Sequence, residues 1–342
     1  MRSNMSLKGL SLLATLGVAA ALRPNDTTIC DYYTPLILGK ENTPANQQEL
    51  MALITHTFIL GNYTTPNVGV KVDGIAGPRT YQGHEVNLLP YFTGGYVSSN
   101  VGGKASVVNY LDDGGAAALL ANKPANTTNS NQYRLLTHVY QYFGDFYGCS
   151  QQGSEDFRHY QGVASMWEVH KFMDPNLFEA SYFNDQIALA GQSIGFEDPD
   201  VAFTRAGLEQ TFNSRCLPPA TVIPPSAGPQ LQSICTDVNT CPLAENANCS
   251  AYPDGGVLQY PAIANVTLLE GVPKENDTIG LSTASASGSA SSATASVSST
   301  ASGSAASPSA SSTGAAAYTF GIGNPLAVLA GMAGLLFTAL VL

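Results

Sequence analysis

Residues 131–173 read NQYRLLTHVYQYFGDFYGCSQQGSEDFRHYQGVASMWEVHKFM, and this stretch decides the fold. It holds two apolar stripes at helical spacing with a turn between them. Residues 131–147 predict a helix with Leu135, His138, Tyr142 and Phe146 on one face. Residues 162–173 predict a second, aligning Val163, Met166, Trp167, His170 and Met173. Each stripe carries one histidine. If the two helices face each other across a flat apolar cavity, a neutral imidazole can ligate an iron on one side while the other ring lines the opposite face. Two hydrogen-bonded core histidines produce the same pattern, and the residues alone leave both readings open.

Outward from this pair the punctuation stays helical. Thr43 can cap a helix over residues 44–60, where Pro44 suits the first turn, Leu50, Leu53, Ile54 and Phe58 recur at helical spacing, and Gly61 ends the run. Asp174-Pro175 and Asp198-Pro199 open two more, which run to about Gly191 and Arg215. Residues 64–129 are rich in Gly, Pro and Asn and read as an irregular insertion with a short helix over 116–121. The expected class is mainly α, with a helical domain over 22–216. A Pro/Cys-rich extension follows over 217–280.

Chemistry beyond the histidines has no positive signal. No serine sits in a nucleophile elbow, no histidine pair brackets a glutamate on a helix, and no glycine loop cradles phosphate. Glu41, Glu49 and Glu85 lie in segments that do not pair them, and Asp112-Asp113 before Gly114-Gly115 reads as turn chemistry. A net charge of −11 with only 14 basic residues argues against nucleic acid or anionic lipid as partners.

The order His138, Phe143, Tyr160-x-Gly162-x-x-x-Met166-x-x-x-His170, followed by Phe178-Glu179-Ala180 and Gly195-Phe196, resembles the second half of a truncated globin. That resemblance implies a globin-like helical domain that binds haem. It makes His170 the proximal iron ligand and places His138 on the distal side. Phe143 would pack on the porphyrin, and Tyr160, Gly162 and Met166 would shape the turn and rim. Leu89-Pro90-Tyr91-Phe92 is similar to the segment that supplies the family's haem-packing phenylalanine, which makes Phe92 a further candidate; His56 or Phe58 would fill the distal corner. One extra residue between Gly162 and Met166, and a longer run between Phe92 and the distal helix, depart from the family pattern.

The ends of the chain predict where it resides. Residues 1–21, basic and then apolar with Ala19 and Ala21 near the end, read as a secretory signal peptide. Residues 281–317 are almost wholly Ser, Ala, Thr and Gly and read as a disordered stalk. Residues 318–342 end in an uncharged apolar tail and read as a glycosylphosphatidylinositol (GPI) signal, with attachment at Gly314 or Ser312. Sequons stand at Asn25, Asn62, Asn126, Asn248, Asn265 and Asn276. Six cysteines, Cys30, Cys149, Cys216, Cys235, Cys241 and Cys249, predict three disulfides of open connectivity. Domain, stalk and anchor signal together resemble a fungal family of GPI-anchored cell-surface proteins. The resemblance implies an extracellular protein whose partners are the outer leaflet of the plasma membrane and cell-wall glycan. The competing functional expectation is a wall or adhesion module without cofactor.

Overall fold

Thr28 starts the first helix, because its hydroxyl accepts the Asp31 N–H at the N-cap. The computed structural model describes residues 22–256; the expectations for 1–21, the stalk, the anchor signal, Gly314, Ser312, Asn265 and Asn276 fall outside these. Helix α1 (Ile29–Leu38), which holds Pro35 inside it, was not expected. It forms because Thr28 caps it and Cys30, Tyr33 and Thr34 bury one face. Helix α2 (Pro44–Leu60) has the expected bounds, with Thr43 accepting the Asn46 N–H and Gly61 ending it. Every residue from Leu53 to Ile59 is buried, so α2 is the central helix with core on all sides.

The insertion is more ordered than the sequence suggested. Strand β1 (Arg79–Tyr81) pairs antiparallel with β2 (His84–Val86) around Gln82-Gly83, where both φ angles are positive. A one-turn α3 (Leu89–Thr93) follows. A second hairpin, β3 (Ser99–Val101) with β4 (Lys104–Ser106), turns at Gly102-Gly103, again with two positive φ angles, and α4 spans Gly115–Leu120. Two-residue turns of this kind match the twist of the flanking strands and are the signal the composition obscured.

Helix α5 (Asn131–Tyr147) has the expected bounds and a shifted face. The buried positions include Gln132, Leu136, Tyr140, Tyr142, Phe143 and Tyr147; of the expected face Tyr142 is among them, whereas Leu135, His138 and Phe146 stay half-buried. Helix α6 (Met166–His170) is a single turn, far shorter than 162–173, because Ser165 caps it at its start. Val163 therefore lies off the helix and is 53 % exposed, so the expected stripe reduces to buried Met166 and Trp167. Helix α7 (Leu177–Ile194) starts after Asp174-Pro175: Asn176 and Glu179 form a reciprocal capping box. It runs through Gly191 and stops at Gly195, in the left-handed conformation. Helix α8 (Asp198–Phe212) ends short of Arg215.

The fold is mainly α and closed by three disulfides. Helix α2 packs on α1, α5 and α7, and α7 packs on α8. Cys30–Cys149 ties the start of α1 to the residue after α5's terminal glycine, Cys216–Cys249 closes the extension, and Cys235–Cys241 clips a short loop in it. Among the described residues no helix is long and apolar enough to cross a membrane.

Candidate functional site

Helix α6 is held by Ser165, which caps it, and by Trp167 and Glu168 in its first turn. The Ser165 hydroxyl accepts the Glu168 N–H at 3.1 Å and donates to the Leu231 carbonyl at 2.7 Å. Trp167 is buried against Tyr252 and Cys216, and the Lys171 ammonium lies 5.4 Å from its ring. Glu168 faces the β3 hairpin, where Asn100 donates to its carboxylate and to its carbonyl.

At the end of this turn the His170 Nδ1 lies 2.8 Å from the Met166 carbonyl. A carbonyl can only accept, so Nδ1 carries the proton and the lone pair of the neutral ring is on Nε2. Burial lowers the His170 pKa, the bond to Met166 offsetting part of that, so the ring is neutral at ordinary pH. His170 keeps part of its surface open, and among the described residues no group hydrogen-bonds its Nε2. A second-atom bond that fixes tautomer and ring plane is what a metal-ligating imidazole requires.

The other expected residues are distributed unevenly. His138 is half-buried on α5, with its ring 6.0 Å from Tyr160 in an edge-on contact; burial, and then the Arg134 charge, lower its pKa. Tyr160 also packs on Tyr142, and its N–H is held by Asp145, which accepts His159 Nδ1 on its other oxygen. The Tyr-x-Gly spacing has a steric cause: a Cβ at Gly162 would lie 2.2 Å from the Tyr160 hydroxyl. Met166, the first residue of α6, is buried. Phe143 is 4 % exposed, with Phe58, Phe146 and Tyr147 among its ring partners, so it belongs to the aromatic core. Phe92 lines an apolar cavity with Ile59, Leu89, Leu119 and Leu135 of about 20 Å³. That space takes one water-sized molecule and no porphyrin. The structure thus brings His138 to Tyr160, while His170 is gripped by its own helix and Phe92 and Phe143 belong to separate surroundings.

Two arrangements escaped the sequence reading. His56, on α2, is fully buried and its Nε2 hydrogen-bonds the Tyr140 hydroxyl; burial pushes its pKa down to about 4, with the Leu119 backbone offsetting part. Its place on the central helix was legible, its partner on α5 was not. Gln232 of the extension reaches under α6, and no local pattern marks it. Among the described residues no group of three or more His, Cys, Asp or Glu is placed to hold a metal ion. The four described sequons, Asn25, Asn62, Asn126 and Asn248, are all exposed. No protein-family model, no curated protein and no solved structure matches the chain.

Proposed function

We propose that the chain is an extracellular, GPI-anchored haem-binding protein in which His170 would hold the iron. The observation that carries this reading is the His170 Nδ1–H donated to the Met166 carbonyl, which presents an unpartnered Nε2 lone pair from a neutral ring. Tyr160, Met166 and His138 are the neighbours that the globin resemblance assigns to the same group; Phe92 and Phe143, which it also names, lie in separate apolar surroundings. Bound haem supplies gas ligation or one-electron chemistry, for use in gas binding, redox sensing or haem capture. The chain's own part is to hold the imidazole neutral, in one tautomer and in one plane.

A second reading rests on a different observation. The small cavity at Phe92 and the closed aromatic packing of Phe143 favour a cofactor-free wall or adhesion module, with the histidines serving as core hydrogen-bonding groups. Titration of the purified protein with haem separates the two. The haem reading expects a Soret band that His170→Ala abolishes or weakens strongly and that His138→Ala leaves in place with an altered exogenous-ligand spectrum. Absence of uptake by the parent, or equal uptake by both variants, gives the second reading its place.

A further inference from the structure

A helix of one turn cannot hold itself. Its nucleus fixes several residues for almost no internal hydrogen bonds, and its first four N–H groups have no partner within it. In α6 the extension supplies two of those partners. The Met166 N–H donates to Gln232 Oε1 at 3.3 Å and the Trp167 N–H to the Leu231 carbonyl at 3.2 Å. Ser165 accounts for the other two, through its hydroxyl to Glu168 and its carbonyl to Val169. Gln232 is fully buried, and its Nε2 donates back to the Ala164 and Ala220 carbonyls, so its amide has one orientation. The extension is itself fixed. Cys235 lies three positions on in the chain and is bridged to Cys241, while Cys216, bridged to Cys249, packs on Trp167.

The consequence falls on one residue, held at both of its flanking peptide groups. Met166 receives Gln232 at its N–H and His170 at its carbonyl. We propose that Gln232 is a positioning residue for the His170 imidazole, acting through Met166 and the first turn of α6. The disulfide-stapled extension thereby sets the tautomer and plane of the ring. In its bearing on haem this rests on the reading above; in its bearing on the ring it does not.

The test uses the whole disulfide-bonded protein, with ¹⁵N-labelled histidine, at one neutral pH. In the parent, His170 is expected wholly as the Nδ1–H form. In Gln232→Met, similar in shape and without the amide, that population is expected to fall to about half or less as the Nε2–H form appears. Gln232→Glu, whose buried acid group can again accept from Met166 and donate to a carbonyl, is expected to restore it. Haem affinity should follow, falling about 10- to 100-fold in Gln232→Met as for other residues that orient a metal ligand. A tautomer unchanged in Gln232→Met, with only the unfolding midpoint lowered, overturns the proposal. Should Gln232→Met not fold, Gln232→Asn, whose shorter side chain draws the amide away from the Met166 N–H, reads the same signature, and an unchanged ring there overturns it as well. If the parent takes up no haem but the tautomer shifts as stated, the positioning role stands and the haem reading falls.

Discussion

Arg23 closes on Asp200, 177 positions away in the chain: Nη2 and Nε lie 2.7 and 3.0 Å from Oδ1. Asp200 is 4 % exposed, and its other oxygen also accepts the Tyr33 hydroxyl, which in turn accepts the Glu197 N–H. The pair ties the start of the described chain to the first turn of α8 and to α1.

Removing either partner of a buried ion pair leaves the other charge unmatched, at a cost of about 3–5 kcal/mol. Asp200→Ala is expected at that level in urea unfolding. Arg23→Ala should cost at least as much, because it strands the Asp200 carboxylate, whose side chain is only 5 % exposed, whereas Asp200→Ala strands a guanidinium that is 24 % exposed. Arg23→Lys should recover only part, since an ammonium cannot reproduce the planar contact. A loss under 1 kcal/mol in Asp200→Ala would show that the pair is not closed in solution.

The three disulfides should differ in worth. Cys30–Cys149 spans 119 positions and Cys235–Cys241 spans 6. Loop entropy assigns about 5 kcal/mol to the first and about 2 kcal/mol to the second. Paired Cys→Ala variants compared by thermal unfolding check the order, and thiol titration of the denatured, unreduced parent should find no free thiol among these six cysteines.

His56 makes stability depend on pH in a stated sense. Unfolded, it titrates near ~6.5; folded, burial holds it at about 4. Above the upper value both states are neutral and stability is at its full level. As pH falls through the window the unfolded chain takes up a proton that the folded chain refuses, and stability declines, levelling off near the lower value after a loss of roughly 3 kcal/mol. Asp174 and Glu179, raised by burial, act in the opposite sense, so the check is a difference between variants. His56→Gln, which keeps a partner for Tyr140, is expected to bind up to one proton fewer on unfolding in that window. An unchanged slope sinks the assignment.

Gln132 joins the insertion to α5. It is fully buried; its Oε1 accepts from the Asp113 and Gly115 N–H groups and its Nε2 donates to the Gly115 and Pro124 carbonyls. Gln132→Leu strands backbone groups that cost about 1–3 kcal/mol each when unpaired. We expect a loss of about 2–4 kcal/mol, with amide exchange accelerated first at Asp113 and Gly115. Uniform acceleration over the whole chain would instead mark a global effect.

What the sequence determined by itself is what local chemistry decides. Helices α2 and α5 have the bounds their caps announce, because Thr43 and Ser130 satisfy N–H groups three residues away and Gly61 and Gly148 end the runs without a Cβ. The mainly α class and the full pairing of the cysteines follow from composition and spacing. Helix α1, which holds Pro35, was not expected, and α6 looked three turns long because apolar spacing carries no record of where backbone donors are satisfied. Tertiary structure alone decided which face of α5 is buried, that Cys30 pairs with Cys149, and that Gln232 lies under Met166, 66 positions away. Each of these depends on a donor, acceptor or apolar surface being covered by a residue distant in the chain, and burial of such groups is settled only when the elements close on one another.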